Sequence, residues 1–189
     1  MSAGGEWTKL FSGGEGEVID WLREHNVERI RTEYSDFNCI ARGKAVAIAQ
    51  FEHVMQHGLA FAATIFSLDI EANVVPGTDY AESIGYGDFI LKPDLSTLRL
   101  LRHEGGTAQV VGTLVWPDGS HVDSCPRNIL AHVAGRAADM GFTAFAAPEF
   151  EFYLLSEDNE LLDEGAQCYS MQKRTKFLTE ELALLEAAS

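Results

Sequence analysis

Cysteine is scarce and poorly placed for crosslinking: Cys39, Cys125 and Cys168 are the only three in 189 residues. They are odd in number and form no C-x-x-C pair, which argues against a disulfide framework and a cysteine zinc site and fits a reducing cytoplasm. Positive charge is short as well, with 14 Lys and Arg against 29 Asp and Glu and a formal net charge of −15. Nucleic acid and anionic membranes are recruited by basic patches that displace counterions, so neither is an expected partner. Long apolar runs are missing: no stretch approaches the roughly 18 residues of a membrane span. The opening segment MSAGGEWTKLFSGGEGE has no positive region followed by an apolar one, so no secretory leader is expected. Its GGEGEV run lacks both a preceding strand and the lysine of a phosphate loop, and is read as part of a flexible arm over 1–16.

What is present is an alternation of helical and strand-like segments. Val18, Ile19 and Leu22 fall at helical spacing and predict a short helix to about Asn26. The 29–34 and 39–46 segments flank the turn formers Ser35, Asp36 and Asn38 and predict a hairpin, with Asp36 as a turn residue. A helix over 49–56 stops at Gly58, and an apolar strand over 59–68 runs into Asp69 and a long polar loop, 71–88. Strands are predicted at 89–91, 97–101 and 107–116. Pro126 suits the first turn of a helix over 126–140, whose apolar stripe is Ile129, Leu130, Val133, Ala137 and Met140. A second helical pattern covers 174–188. Of the six histidines, only His53 and His57 have the H-x-x-x-H spacing, and they read as surface residues near a helix end.

The segment from Ala147 to Leu155, APEFEFYLL, predicts a strand in which Glu149 and Glu151 share one face, about 7 Å apart, with Phe150 and Phe152 on the other. Two carboxylates so spaced suit adjacent hard cations such as Mg²⁺ or Mn²⁺ bridging phosphate oxygens. The same pattern also describes the solvated face of a half-buried sheet. Glu157, Asp158, Asp163 and Glu164 offer further oxygen atoms, as an independent metal enzyme would need, although that segment reads better as a solvated loop.

From about residue 30 to 170 the chain resembles the beginning of a bacterial-type glutamine synthetase, most of all the members that couple glutamate to amines or polyamines. The segment YSDFNCIARGK, Tyr34 to Lys44, is similar to the family's D-x-x-G-x-x-R-G-K hairpin, with Cys39 where glycine is common, so this turn differs or carries strain. Phe66 to Ile70 with Val75-Pro76-Gly77-Thr78 resembles the substrate-proximal loop of the N-terminal domain. Lys92-Pro93-Asp94-Leu95-Ser96-Thr97 and Gly106-Thr107-Ala108-Gln109 resemble the P-D-x-x-T and G-T-A-Q strands. Pro126-Arg127 and Pro148-Glu149-Phe150-Glu151-Phe152 resemble the P-R helix and the P-E-x-E-F metal strand that open the catalytic domain.

The resemblance implies an α+β fold. A β-grasp-like N-terminal domain over 17–104 is followed, over 105–189, by an incomplete antiparallel sheet or barrel that begins the catalytic domain. It implies ATP- and Mg²⁺-dependent (or Mn²⁺-dependent) phosphorylation of the glutamate γ-carboxylate, then attack by ammonia or an amine. Glu149 and Glu151 become metal ligands and Asp69 the group that binds the cationic nucleophile. Family members run to more than twice this length. The Asn-His-x-Glu segment, the glutamate-binding flap and the phosphate-clamping arginines are not found after residue 170. The rival expectation is a noncatalytic module that associates with itself or with full-length subunits.

Overall fold

The computed structural model describes residues 11–101, 103–149, 151, 153 and 155–160. The chain divides into two compact units, Thr8–Thr143 and a second formed by Met1–Trp7 with Ala144–Ser189.

In the first unit, a six-stranded sheet has the order β2-β1-β6-β4-β3, with β5 also paired to β6. The strands are β1 (Arg29–Ser35), β2 (Ala41–Ala47), β3 (Leu59–Ala62), β4 (Asp88–Pro93), β5 (Arg99–Leu100) and β6 (Thr107–Val115). Helices α1 (Val18–Glu24), α2 (Ile48–His57) and α3 (Pro126–Asp139) accompany it. All pairings are antiparallel except β1 with β6, which run parallel from Arg29 opposite Thr107 to Glu33 opposite Val111. Thus β6, the last of these six strands in sequence and beyond residue 104, is the centre of the sheet.

Strand alternation sets the core. Ile30, Thr32 and Tyr34 of β1 share a face with Ala108, Val110 and Leu114 of β6, and all six are buried. At one end Val18 and Leu22 of α1 and Phe51 and Val54 of α2 cover this face, joined by Phe11. The backbone N–H of Phe11 donates to the Leu98 carbonyl at 2.9 Å, so this part of the predicted 1–16 arm is held on the fold. At the other end Tyr34, Phe61, Phe66, Phe89, Leu91, Leu114 and Val122 form an aromatic-rich cluster. Leu59 packs against both groups.

The opposite face is polar and tied together. Glu33 accepts from Arg31 Nε and from Gln109 Nε2, each at 2.5 Å, and Gln109 accepts from Arg99 Nε at 2.7 Å. Glu104 closes on Arg31 at 2.5 Å. The hydrogen bond that Arg31 donates to Glu33, opposed by partial burial and reinforced by the charges of Glu33 and Glu104, raises the Arg31 pKa further.

The predicted hairpin is present, and its chemistry is local. Asp36 Oδ1 accepts from the backbone N–H groups of Asn38 and Ile40 at 2.9 and 3.0 Å, while Oδ2 accepts from Arg42 Nε at 2.7 Å. This is an Asx turn whose second oxygen is neutralised by the returning strand. Cys39 sits at φ 59°, the left-handed region that glycine occupies without cost.

Three strand expectations need correction. The 59–68 strand ends at Ala62, because Ala62 already opposes Asp88, the first residue of β4. Residues Ala63–Ser67 have no strand to pair with among the described residues and wind into a 3₁₀ turn. The 97–101 strand shrinks to Arg99–Leu100, since Asp94 caps a 3₁₀ turn over Leu95–Thr97. There Thr97 Oγ1 accepts from the Val111 N–H at 2.8 Å, standing in for a ladder partner. Finally, the strand expected over 147–155 is absent at its described positions up to Tyr153: Ala147, Pro148, Glu149, Glu151 and Tyr153 carry no regular structure and are exposed, while Leu155 makes a single β-bridge. None of β1–β6 pairs with this segment. The helix expected at 174–188 lies outside the described residues.

The 126–140 helix forms as α3, with Pro126 at its first turn. Asn128 anchors it by donating to the carbonyls of Leu114 and Val122, each at 2.9 Å. Yet its apolar stripe is uncovered: Ile129, Leu130, Val133 and Met140 are 47–71% exposed.

Candidate functional site

Asp69 follows the 3₁₀ turn and opens the long loop. Its Oδ1 accepts from the backbone N–H groups of Glu71 and Asn73, each at 2.9 Å, and Oδ2 accepts from Asn73 Nδ2 at 3.3 Å. The Asn73 N–H, with smaller help from its side-chain amide and the Glu71 N–H, keeps this exposed carboxyl below the usual aspartate range. The Asp69 N–H donates to the Asn73 carbonyl at 3.0 Å, and Ile70 at the tip is 90% exposed. Asp69 is therefore a loop cap whose carboxylate stays ionised and reachable from solvent. The capping partner, Asn73, escaped the sequence reading; the D-x-x-x-N spacing of a short closed turn was its signal.

Glu149 and Glu151 belong to the second unit and are both exposed. Among the described residues no group of three or more His, Cys, Asp or Glu side chains is arranged to hold a metal ion. His53 and His57 are exposed on α2 with ring centroids 4.4 Å apart.

Within the first unit, an open cleft of about 890 Å³ lies beside α3, where Asp94, Thr113, His121, Asp123, Arg127 and His132 are among its lining residues. Arg127 of the P-R pair donates to Asp94 of the P-D pair at 2.6 Å. Two motifs 33 residues apart are thus a single ion pair. The hydrogen bond from the Ser96 hydroxyl, then the Ser96 N–H and Arg127, overcome partial burial and hold the Asp94 carboxyl below its ordinary value.

Residues 123–184 match the family described as glutamine synthetase, catalytic domain. The matched region opens just before α3 and includes both glutamates. A glutamate–isopropylamine ligase of Pseudomonas sp is 30% identical over 82% of this chain, and a gamma-glutamylethanolamide synthetase of Streptomyces coelicolor is 34% identical over 78%. The chain belongs to the glutamine synthetase family. A gamma-glutamylputrescine synthetase of Escherichia coli is 28% identical over 76% of the chain. The fold agrees: a solved ligand-free GmaS structure aligns over 90% of this chain with a TM-score of 0.61 at 15% identity. This family member spans about a third of the length of its curated relatives, 37%, 32% and 31% of those three. No helix among its described residues is long and apolar enough to cross a membrane.

Proposed function

We infer that the protein serves an ATP- and Mg²⁺-dependent ligation of ammonia or an amine to the glutamate γ-carboxylate through γ-glutamyl phosphate. The observation that carries this reading is the match over most of the chain to relatives named for ligating isopropylamine, ethanolamine and putrescine to glutamate. In this reading the N-terminal part is a β-grasp-like domain leading into the catalytic domain, and the protein works as a cytoplasmic homo-oligomer.

The carboxylates of Glu149 and Glu151 would hold Mg²⁺ or Mn²⁺. They are hard oxygen donors open to solvent, the ligand type these ions select. Such an ion would supply charge neutralisation on the phosphate oxygens of ATP. Water, phosphate or additional protein groups would have to supply the remaining oxygen donors, since the described residues contribute no three-residue cluster.

Asp69 attracts the ammonium form of the acceptor. Like any exposed aspartate it is anionic at neutral pH, its backbone and amide donors hold its carboxyl below the usual range, and its exposure lets a cation approach without desolvating a buried group. A proton must leave the ammonium before its nitrogen attacks, and an adjacent carboxylate can accept it.

A second reading, a noncatalytic module that pairs with itself or with longer family members, is favoured by the uncovered apolar stripe of α3 together with Phe142, 64% exposed.

The test is Mg²⁺/ATP-dependent γ-glutamyl transfer by the purified chain with ammonia, ethanolamine, isopropylamine and putrescine as acceptors. Turnover is expected to vanish in Glu149→Ala. In Asp69→Ala the KM for the amine should rise while that for ATP stays constant. No turnover from folded protein, combined with concentration-dependent association by light scattering, would put the module reading first.

A further inference from the structure

The 63–88 region contains a loop within a loop. At one end the Thr78 hydroxyl donates to the Ser67 hydroxyl, and at the other the Ala63 N–H donates to the Gly87 carbonyl at 3.0 Å. Both clamps close on the same 3₁₀ turn, Ala63–Ser67. Between them the chain makes its own turns: Ile84 and Tyr86 N–H groups donate to the Ala81 carbonyl at 3.3 and 2.9 Å. Gly77 and Gly85 adopt φ of 81° and 63°, and a Cβ on either would meet nothing within 4 Å. The 78–87 segment therefore has fixed ends and glycine joints at Gly77 and Gly85.

Tyr80 reaches out of this segment. Its ring stacks on Trp116 at 6.1 Å and 7°, and meets Phe66 and Phe89 edge-on at 5.9 and 5.8 Å. Its hydroxyl donates to the Ser124 hydroxyl, 44 residues away, in the turn that leads into α3. Ser124 lies inside the stretch matched by the catalytic-domain family. One side chain thus ties the acidic loop to the start of the catalytic segment, by two separable contacts: a ring in an aromatic cluster and a hydroxyl on a serine.

We propose that Tyr80 is a latch: the 78–87 segment moves between a closed position with the Tyr80 hydroxyl on Ser124 and an open one in which that bond is broken. The Asp69 turn shares the Ser67 anchor with this segment, through the Val75 N–H on the Ser67 carbonyl at 2.8 Å and the Thr78 hydroxyl on the Ser67 side chain. Opening therefore loosens the support of Asp69; its consequence for amine capture rests on the reading of Asp69 given above.

Hydrogen exchange of the full chain tests the latch without requiring turnover. The reporters are the amides of Ile84, Gly85 and Tyr86, with β1 and β6 as internal controls. In Tyr80→Phe the ring stays and the hydroxyl goes; in Ser124→Ala the partner goes. Each should speed exchange of the reporters about fivefold, the factor expected for losing one ordinary hydrogen bond. The double variant should be no faster than either single one, and the sheet amides should be unchanged. Reporter exchange unaltered in either single variant, or a double variant faster by the product of the two, overturns the latch. Because the readout is not activity, an inactive protein with this exchange pattern fails as a ligase while keeping the latch.

Discussion

The Lys44 ammonium on β2 donates to the carbonyl of Ala60 on β3 at 2.5 Å and lies 4.7 Å from the centre of the Phe61 ring. These strands stand at opposite ends of the sheet order, so one lysine joins the two edges of the sheet. Its position follows from register. Lys44 opposes Thr32, and Arg42 opposes Tyr34, so both side chains of the R-G-K run point to the core face. Gly43 between them has the Thr32 carbonyl where a Cβ would come within 2.6 Å. Aspartate, arginine, glycine and lysine of this motif are accounted for by the hairpin and the closure of the sheet.

Lys44→Met keeps the length of the side chain and removes the charge. We expect a loss of about 1 kcal/mol in unfolding free energy, the scale of one partly solvated charge-assisted hydrogen bond with a cation–π contact. The urea midpoint should fall with the slope m unchanged; an unaltered midpoint would show that the edges are held by packing alone.

Cys39→Gly should stabilise the protein. A non-glycine residue at φ 59° pays roughly 1–2 kcal/mol of backbone strain, partly offset by the greater freedom glycine has when unfolded. The net expectation is a gain of ~0.5–1 kcal/mol, read as a higher thermal midpoint. A lower midpoint would mean that the cysteine side chain contributes contacts outweighing its strain.

Stability should fall in acid through Asp36. Burial pushes its carboxyl up, but Arg42 and the N–H groups of Ile40 and Asn38 outweigh burial and hold it below the usual range. A group whose pKa is depressed in the folded state contributes fully above its unfolded value, near 4, and that contribution is lost as pH falls through the folded value. Asp36→Asn should be less stable than the parent at pH 7, and the gap should narrow below about pH 4. A gap independent of pH would place the effect in turn geometry, not charge.

Tyr34→Phe should cost nothing. The Tyr34 hydroxyl is buried with no hydrogen-bond partner among the described residues, and burial pushes its pKa up to about 12. Removing an unsatisfied buried hydroxyl while keeping the ring is expected to leave stability unchanged or raise it by ~1 kcal/mol. Loss of more than that would reveal a partner for the hydroxyl.

Local chemistry was legible before any coordinates. The Asp36 turn, the start of α3 at Pro126 and the stop of α2 at Gly58 each depend on residues within a few positions of one another. The apolar run 59–68 was not divisible by inspection, because its last six residues are strand-like in composition and only the end of β4 at Asp88 denies them a ladder. Glu149 and Glu151 carry the alternation of a strand, yet alternation supplies no neighbouring strand to pair with. The stripe on α3 shows the same limit, since spacing identifies an apolar face and cannot say what covers it.

Side-chain identity and short spacings were enough for the family, the hairpin with its D-to-R-G-K chemistry and helices α1, α2 and α3. Tertiary structure alone decided that β6 lies between β1 and β4, that Lys44 meets Ala60, that Arg127 meets Asp94 and that Tyr80 meets Ser124. Each of those pairs residues 16 to 78 positions apart. Such contacts follow from the closure of long loops and the register of paired strands, which no local pattern encodes.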